Sequence, residues 1–122
     1  MAEDKKVFAV GKELFFDGDW ANSLFFIKKG AVSIRKKQGA DSVEVGKAIA
    51  DQVIGELSFF GERKRNETAV ALSYVEAIEV SYDEVDKIYA NVPPYMKTIM
   101  ASMASRLQAA NELIQKLQGI PK

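Results

Sequence analysis

The sequence of 122 residues contains no cysteine and no histidine. The first absence excludes disulfides and thiolate chemistry. Together they remove the usual zinc and haem ligands, the commonest general base, and both the Ser-His and Cys-His nucleophile systems. Charge of one sign is also missing as a surplus: 17 Lys and Arg balance 17 Asp and Glu, whereas a nucleic-acid binder carries an excess of basic residues. No apolar run reaches the roughly 18 residues of a membrane-spanning helix. The opening Met1–Lys6 lacks the basic-then-apolar layout of a signal peptide. These absences predict a cytoplasmic protein without a metal, neither an enzyme nor a partner of nucleic acid or membrane.

What is present is the composition of an ordinary globular protein, 48% hydrophobic and 28% charged. The length suits one domain spanning residues 1–122. Up to about residue 80 the chain reads as short strands separated by turns. Glu13–Phe16 is followed by Asp17-Gly18-Asp19, Leu24–Lys28 by Gly30, and Ala31–Arg35 by a polar hairpin tip over Lys36–Ser42. Val43–Val45 and Ala48–Ile49 continue the pattern, and Ala69–Leu72 and Ala77–Val80 close it. Such a series predicts a sandwich or roll.

After residue 80 the signals turn helical. Ser81 and Glu84 form a capping-box pattern at the start of a short helix over about 82–90, which Pro93-Pro94 ends. A long helix over about 94–118 follows. Met96, Met100, Met103, Leu107, Ala110, Ile114 and Leu117 recur at alternating intervals of four and three, a heptad seam that predicts a homodimer through this helix.

Chemistry is concentrated in Ile54–Val70. An anion held by protein needs backbone N–H groups aimed at it and benefits from an Arg, whose planar fork matches two phosphate oxygens. Gly55 permits close backbone approach, Glu56 offers a carboxylate to sugar hydroxyls, and Leu57–Phe60 predicts a helical turn with free N–H groups at its start. Arg65 follows Glu56 at a distance that lets a small loop close on a ligand.

At these residues the chain resembles the cyclic nucleotide-binding domain family, of the catabolite-activator and protein-kinase-A regulatory-subunit type. Gly55-Glu56-Leu57-Ser58-Phe59 is similar to the first half of that family's phosphate-binding cassette, and Arg65 with Thr68-Ala69-Val70 to the second. Phe8–Phe15 with Gly18-Asp19, and Ser23–Val32, look like its opening strand and its Gly-x-Val hairpin. The resemblance implies a mainly β fold with added helices. An eight-stranded, jelly-roll-like β-roll over about 7–80 would carry the cassette, followed by a hinge helix and a long C-terminal helix. It also implies roles. Arg65 would pair with the cyclic phosphate and Glu56 would accept from the ribose 2′-OH. The N–H groups of Leu57, Ser58 and Asn66 would cradle the phosphate, Gly55 would leave room for the sugar, and Thr68 would add a hydroxyl.

The implied function is a cyclic-nucleotide-sensing regulatory module that binds cAMP, with cGMP as the competing ligand because Asn66 adds a polar group near the base. Its signal would pass through the C-terminal helices to a partner or effector domain. One residue departs from the pattern: Glu67 stands where the family carries Ala. A carboxylate about 4 Å from a phosphate costs roughly 4 kcal/mol at an effective dielectric near 20. Turned outward, or paired with Arg63 or Lys64, Glu67 leaves the pocket open. Locked to Arg65, it leaves a ligand-free dimeric interaction module.

Overall fold

Phe25 and Ile27 of the Ser23–Lys29 strand and Val32 and Ile34 of the Val32–Gln38 strand, at alternate positions, turn to a shared core, while Leu24 packs in a second cluster. The computed structural model describes residues 3–119. Eight strands run in order: β1 (Glu3–Phe8), β2 (Glu13–Phe15), β3 (Ser23–Lys29), β4 (Val32–Gln38), β5 (Asp41–Ala48), β6 (Val53–Ile54), β7 (Thr68–Ala71) and β8 (Val75–Ser81). A 3-10 turn, Leu57–Phe60, lies between β6 and β7. Helices α1 (Tyr82–Tyr89) and α2 (Pro94–Gly119) follow the roll.

The strands form two antiparallel four-stranded sheets, ordered β1-β8-β3-β6 and β2-β7-β4-β5. Their facing sides enclose Phe15, Phe25, Ile27, Val32, Ile54, Val75 and four alanines, with Ile27, Val32 and Val75 fully buried. A second cluster, Ala21, Leu24, Phe59 and Tyr82, fixes α1 and the 3-10 turn to the end of the roll. This is the eight-stranded roll with a short and a long helix that the family resemblance implies.

Details differ in instructive ways. The Lys36–Ser42 tip is mostly strand: β4 runs to Gln38, β5 resumes at Asp41, and the turn is Gly39-Ala40 alone. Backbone pairing between β4 and β5 overrides the local polarity of this segment. β5 also joins the expected Val43–Val45 and Ala48 pieces into one strand, leaving Ile49 exposed. β1 begins ahead of the expected roll and β6 is a two-residue strand, both set by pairing with partners distant in sequence. Gly30 has φ +93°, and a Cβ there would lie 2.2 Å from the Tyr74 carbonyl oxygen, so the β3–β4 turn requires glycine.

At α1 the Ser81 hydroxyl accepts from the Glu84 N–H at 3.3 Å, as the capping pattern predicts. The Glu84 carboxylate instead meets Lys87, 3.1 Å away. Among the described residues no helix is long and apolar enough to cross a membrane.

Candidate ligand site of the cassette

The segment from Gly55 to Thr68 is held by backbone bonds to the turn after β2. The Gly18 N–H donates to the Arg65 carbonyl, the Arg65 N–H to the Asp19 carbonyl, each at 2.7 Å, and the Ala21 N–H to the Arg63 carbonyl at 2.8 Å. The Gly-Asp turn therefore serves as a backbone template for the arginine-bearing strand. Thr68 belongs to this template: its hydroxyl accepts from the Asp17 N–H at 2.9 Å, and its side chain does not line the cavity. This bond gives Thr68 a structural role beside the ligand contact expected of it.

Arg65 is 4% exposed. Its guanidinium donates to the Ser23 carbonyl at 2.7 Å and the Gly55 carbonyl at 3.1 Å, approaches the Tyr82 hydroxyl at 3.4 Å, and lies 4.2 Å over the Phe15 ring. These bonds use three of the five N–H groups of a guanidinium. The Tyr82 hydroxyl also donates to the Gly55 carbonyl. Gly55 has φ +81°, and a Cβ there would come within 2.8 Å of the Arg65 guanidinium, so glycine is what lets the arginine lie flat. Burial lowers the pKa of Arg65, against the opposing pull of Tyr82, Glu79 and Asp19.

None of the ion pairs among the described residues includes Arg65. A buried cation without a carboxylate partner is costly, and an anion that fills the gap relieves that cost. Beside it is a small cavity of about 10 Å³ lined by Phe15, Gly55–Ser58, Arg65, Asn66 and Glu67. A larger one of about 480 Å³ extends from Gly55 and Glu56, past Ile34, Val45 and Glu67, to Leu107 and Asn111 of α2. That volume is in the range of small-molecule sites.

The structure thus brings Gly55, Glu56, Leu57, Ser58, Arg65 and Asn66 together around one recess. Glu56 is pushed up to about 7, chiefly by burial and also by the charge of Glu67. The N–H groups of Glu56 and Leu57 and the charge of Arg65 pull the other way. Asn66 turns its carbonyl to Lys36 Nζ at 3.2 Å.

Glu67 does something the sequence does not anticipate. It neither turns outward nor meets Arg65. It points inward, 9% exposed, and accepts a 2.8 Å hydrogen bond from the side-chain amide of Asn111, itself 8% exposed. Burial raises the Glu67 pKa, while the Asn111 bond and the charge of Lys36 oppose the rise.

Sequence reasoning also missed Phe15, Ser23, Lys36, Tyr82 and Asn111 as parts of the site. Only Asn111 had a local signal, as the polar residue beside an apolar helical seam. A further tie is Arg63, whose guanidinium makes two bonds to Asp86 of α1, 2.8 and 3.0 Å long, while stacking 4.7 Å over Phe59.

Comparison with known proteins gives the family and the fold. Residues 5–92 match the cyclic nucleotide-binding domain, and the chain belongs to that family. It is 26% identical over 115 residues to a global nitrogen regulator of Nostoc sp., covering 92% of this chain and 52% of that protein. It is 23% identical over 108 residues to the cyclic AMP receptor protein of Thermus thermophilus, covering 88% of this chain and 50% of the other. The chain spans about half the length of these relatives. Its fold is shared with the EAL enzyme Bd1971 in a cAMP-bound form, with a TM-score of 0.79 at 19% identity over 91% of this chain and 30% of that one.

Proposed function

We propose that this chain is a cyclic-nucleotide-sensing regulatory module rather than an enzyme, with cAMP as the first candidate ligand and cGMP as the second. The observation that carries this reading is the Arg65 guanidinium, buried and in none of the ion pairs among the described residues, in a small recess whose Gly55, Glu56 and Leu57 also line the larger cavity. In this reading the phosphate docks against Arg65 and the start of the 3-10 turn, Glu56 accepts from the ribose, and the base extends toward α2. Structures of Bd1971 with cAMP and with cGMP support a cyclic nucleotide as the ligand class. Isothermal titration with cAMP and cGMP tests it. Saturable heat from either supports the reading, and none at millimolar ligand sinks it.

The output passes along two ties. Arg63–Asp86 links the cassette to α1, and Glu67–Asn111 links it to α2. A ligand that moves the cassette biases both helices, and the population shift is read by a partner protein or an effector domain. The Glu67–Asn111 contact also favours a second reading, in which the cavity is closed by the chain's own side chain and the module works as a ligand-free dimeric interaction domain.

Dimerisation through α2 is part of both readings. The helix docks on its own roll through a polar row: Asn111 to Glu67, Gln115 to the Lys37 carbonyl, and Gln118 to the Glu44 carbonyl. Of the apolar row, Met100 and Leu107 line cavities against the roll and Ile114 is half-buried, whereas other positions face away. Met103 and Leu117 of the expected seam are 66% and 61% exposed, and Ile99 and Leu113 flank them in the open. A second copy of the helix is the partner this row fits, through Met96, Met100, Met103, Leu107, Ala110, Ile114 and Leu117. The double variant Met103→Glu/Leu117→Glu should sediment as a monomer where the parent chain sediments as a dimer. An unchanged sedimentation coefficient rules out this interface.

A further inference from the structure

Glu67 and Asn111 both line the large cavity, one from the roll and one from α2, and their side chains meet there. The bond to Asn111 joins residues 44 apart in sequence, and both ends are buried. Glu67 lines the small cavity beside Arg65 as well as the large one, whereas Asn111 lines the large one alone. The carboxylate is therefore held at the α2 end, away from the guanidinium. With the phosphate against Arg65, this is the end a base must enter. The Lys36 ammonium donates to the Asn66 carbonyl at 3.2 Å, and its charge also favours the ionised Glu67.

We propose that Glu67 is a tethered occupant of the base end of the cavity and a specificity-determining residue, which admits a base only where that base supplies the N–H donor that Asn111 now supplies. This inference rests on the cyclic-nucleotide reading above. A carboxylate is an acceptor only, so a buried one that loses its donor must gain another or carry its desolvation cost unrelieved. An amino-bearing purine meets that demand: adenine offers its exocyclic amino group, and guanine an amino group and a ring N–H side by side. The Asn111 amide, once released, can donate to a ring nitrogen or to a carbonyl of the same base. An unsubstituted purine presents only acceptors along this edge and faces Glu67 with lone pair against lone pair. Discrimination by an unmet buried polar group is the strong kind.

The test is calorimetric titration of the native chain and of Glu67→Ala with cAMP, cGMP and the cyclic monophosphate of unsubstituted purine riboside. The native chain should bind the two amino-bearing ligands about tenfold or more tightly than the donor-free one. Glu67→Ala should bind all three more tightly and nearly alike. Glu67→Gln keeps the shape and hydrogen-bonding reach but donates as well as accepts, so it should bring the donor-free ligand closer to the others. This variant decides the matter if Glu67→Ala fails to fold. Equal binding of all three ligands by the native chain overturns the proposal, as does a Glu67→Ala variant that binds no more tightly. Binding that appears only in Glu67→Ala supports the tethered occupant and overturns sensing by the native chain. No binding to either form overturns the cyclic-nucleotide reading, and this inference falls with it.

Discussion

Replacing Arg65 with Ala is expected to weaken cyclic-nucleotide binding by about a thousandfold, near 4 kcal/mol, in the range seen when one partner of a buried charge pair is cut away. The size follows from how the guanidinium is held. The Ser23 and Gly55 carbonyls and the Phe15 ring fix its plane before any ligand arrives, so little side-chain freedom remains to be lost on binding. Arg65→Lys keeps the charge but replaces a planar fork with a point. It cannot serve both carbonyls and an anion together, and about a hundredfold loss is expected. Thermal melting of each variant accompanies the titration, because truncation also strips the Ser23 carbonyl of its 2.7 Å donor. An Arg65→Ala chain that stays folded and titrates like the parent would remove the anion site from the argument.

The cassette was legible in the sequence because its residues are contiguous. Gly55, Glu56 and Arg65 carry their meaning in their spacing, and the 3-10 turn between them follows from local backbone geometry. What surrounds the cassette was not legible. Tyr82 reads as the first residue of a helix, yet its hydroxyl bonds to Gly55, 27 positions earlier. Ser23 contributes a carbonyl, and no residue type encodes where a carbonyl points. The heptad on α2 was visible, but its register against the roll was not. Beside Met100 and Leu107, which line cavities against the roll, the hydrogen-bonded contacts come from Asn111, Gln115 and Gln118, polar residues that a hydrophobic pattern assigns to solvent.

Glu67 shows the same limit from the other side. Its identity marks it as the departure from the family pattern, and charge arithmetic makes its direction the question the structure has to answer. The directions the sequence offers it, toward solvent, toward Arg63 or Lys64, or toward Arg65, leave out a partner distant in the chain. The actual partner arrives on α2 and satisfies the carboxylate with a neutral amide, so neither a salt bridge nor solvent is needed. The consequence is physical as well as topological. Two carboxylates, Glu56 and Glu67, share one low-dielectric recess with one buried guanidinium, and the charge on each raises the cost of charging the other.

That recess should make the domain less stable as pH rises. Glu56 holds its proton up to about 7 in the folded chain, against an ordinary value of 4.5. Between these limits the folded state binds a proton that the unfolded chain has released, so stability falls with increasing pH across this window. Below it both states are protonated and above it both are ionised, and the fall accumulates to about 3 kcal/mol. Burial pushes Glu67 in the same direction. Asp86 is shifted the opposite way by Arg63, but from an ordinary value of 3.8, so its contribution is lost only in stronger acid. With no histidine in the sequence, no imidazole obscures the window. Urea denaturation at about pH 5 and about pH 8 should give a lower midpoint at the higher pH, and Glu56→Gln should remove most of the difference. Equal midpoints for the native chain, or an undiminished slope in Glu56→Gln, would place that carboxylate in water and open the recess to solvent.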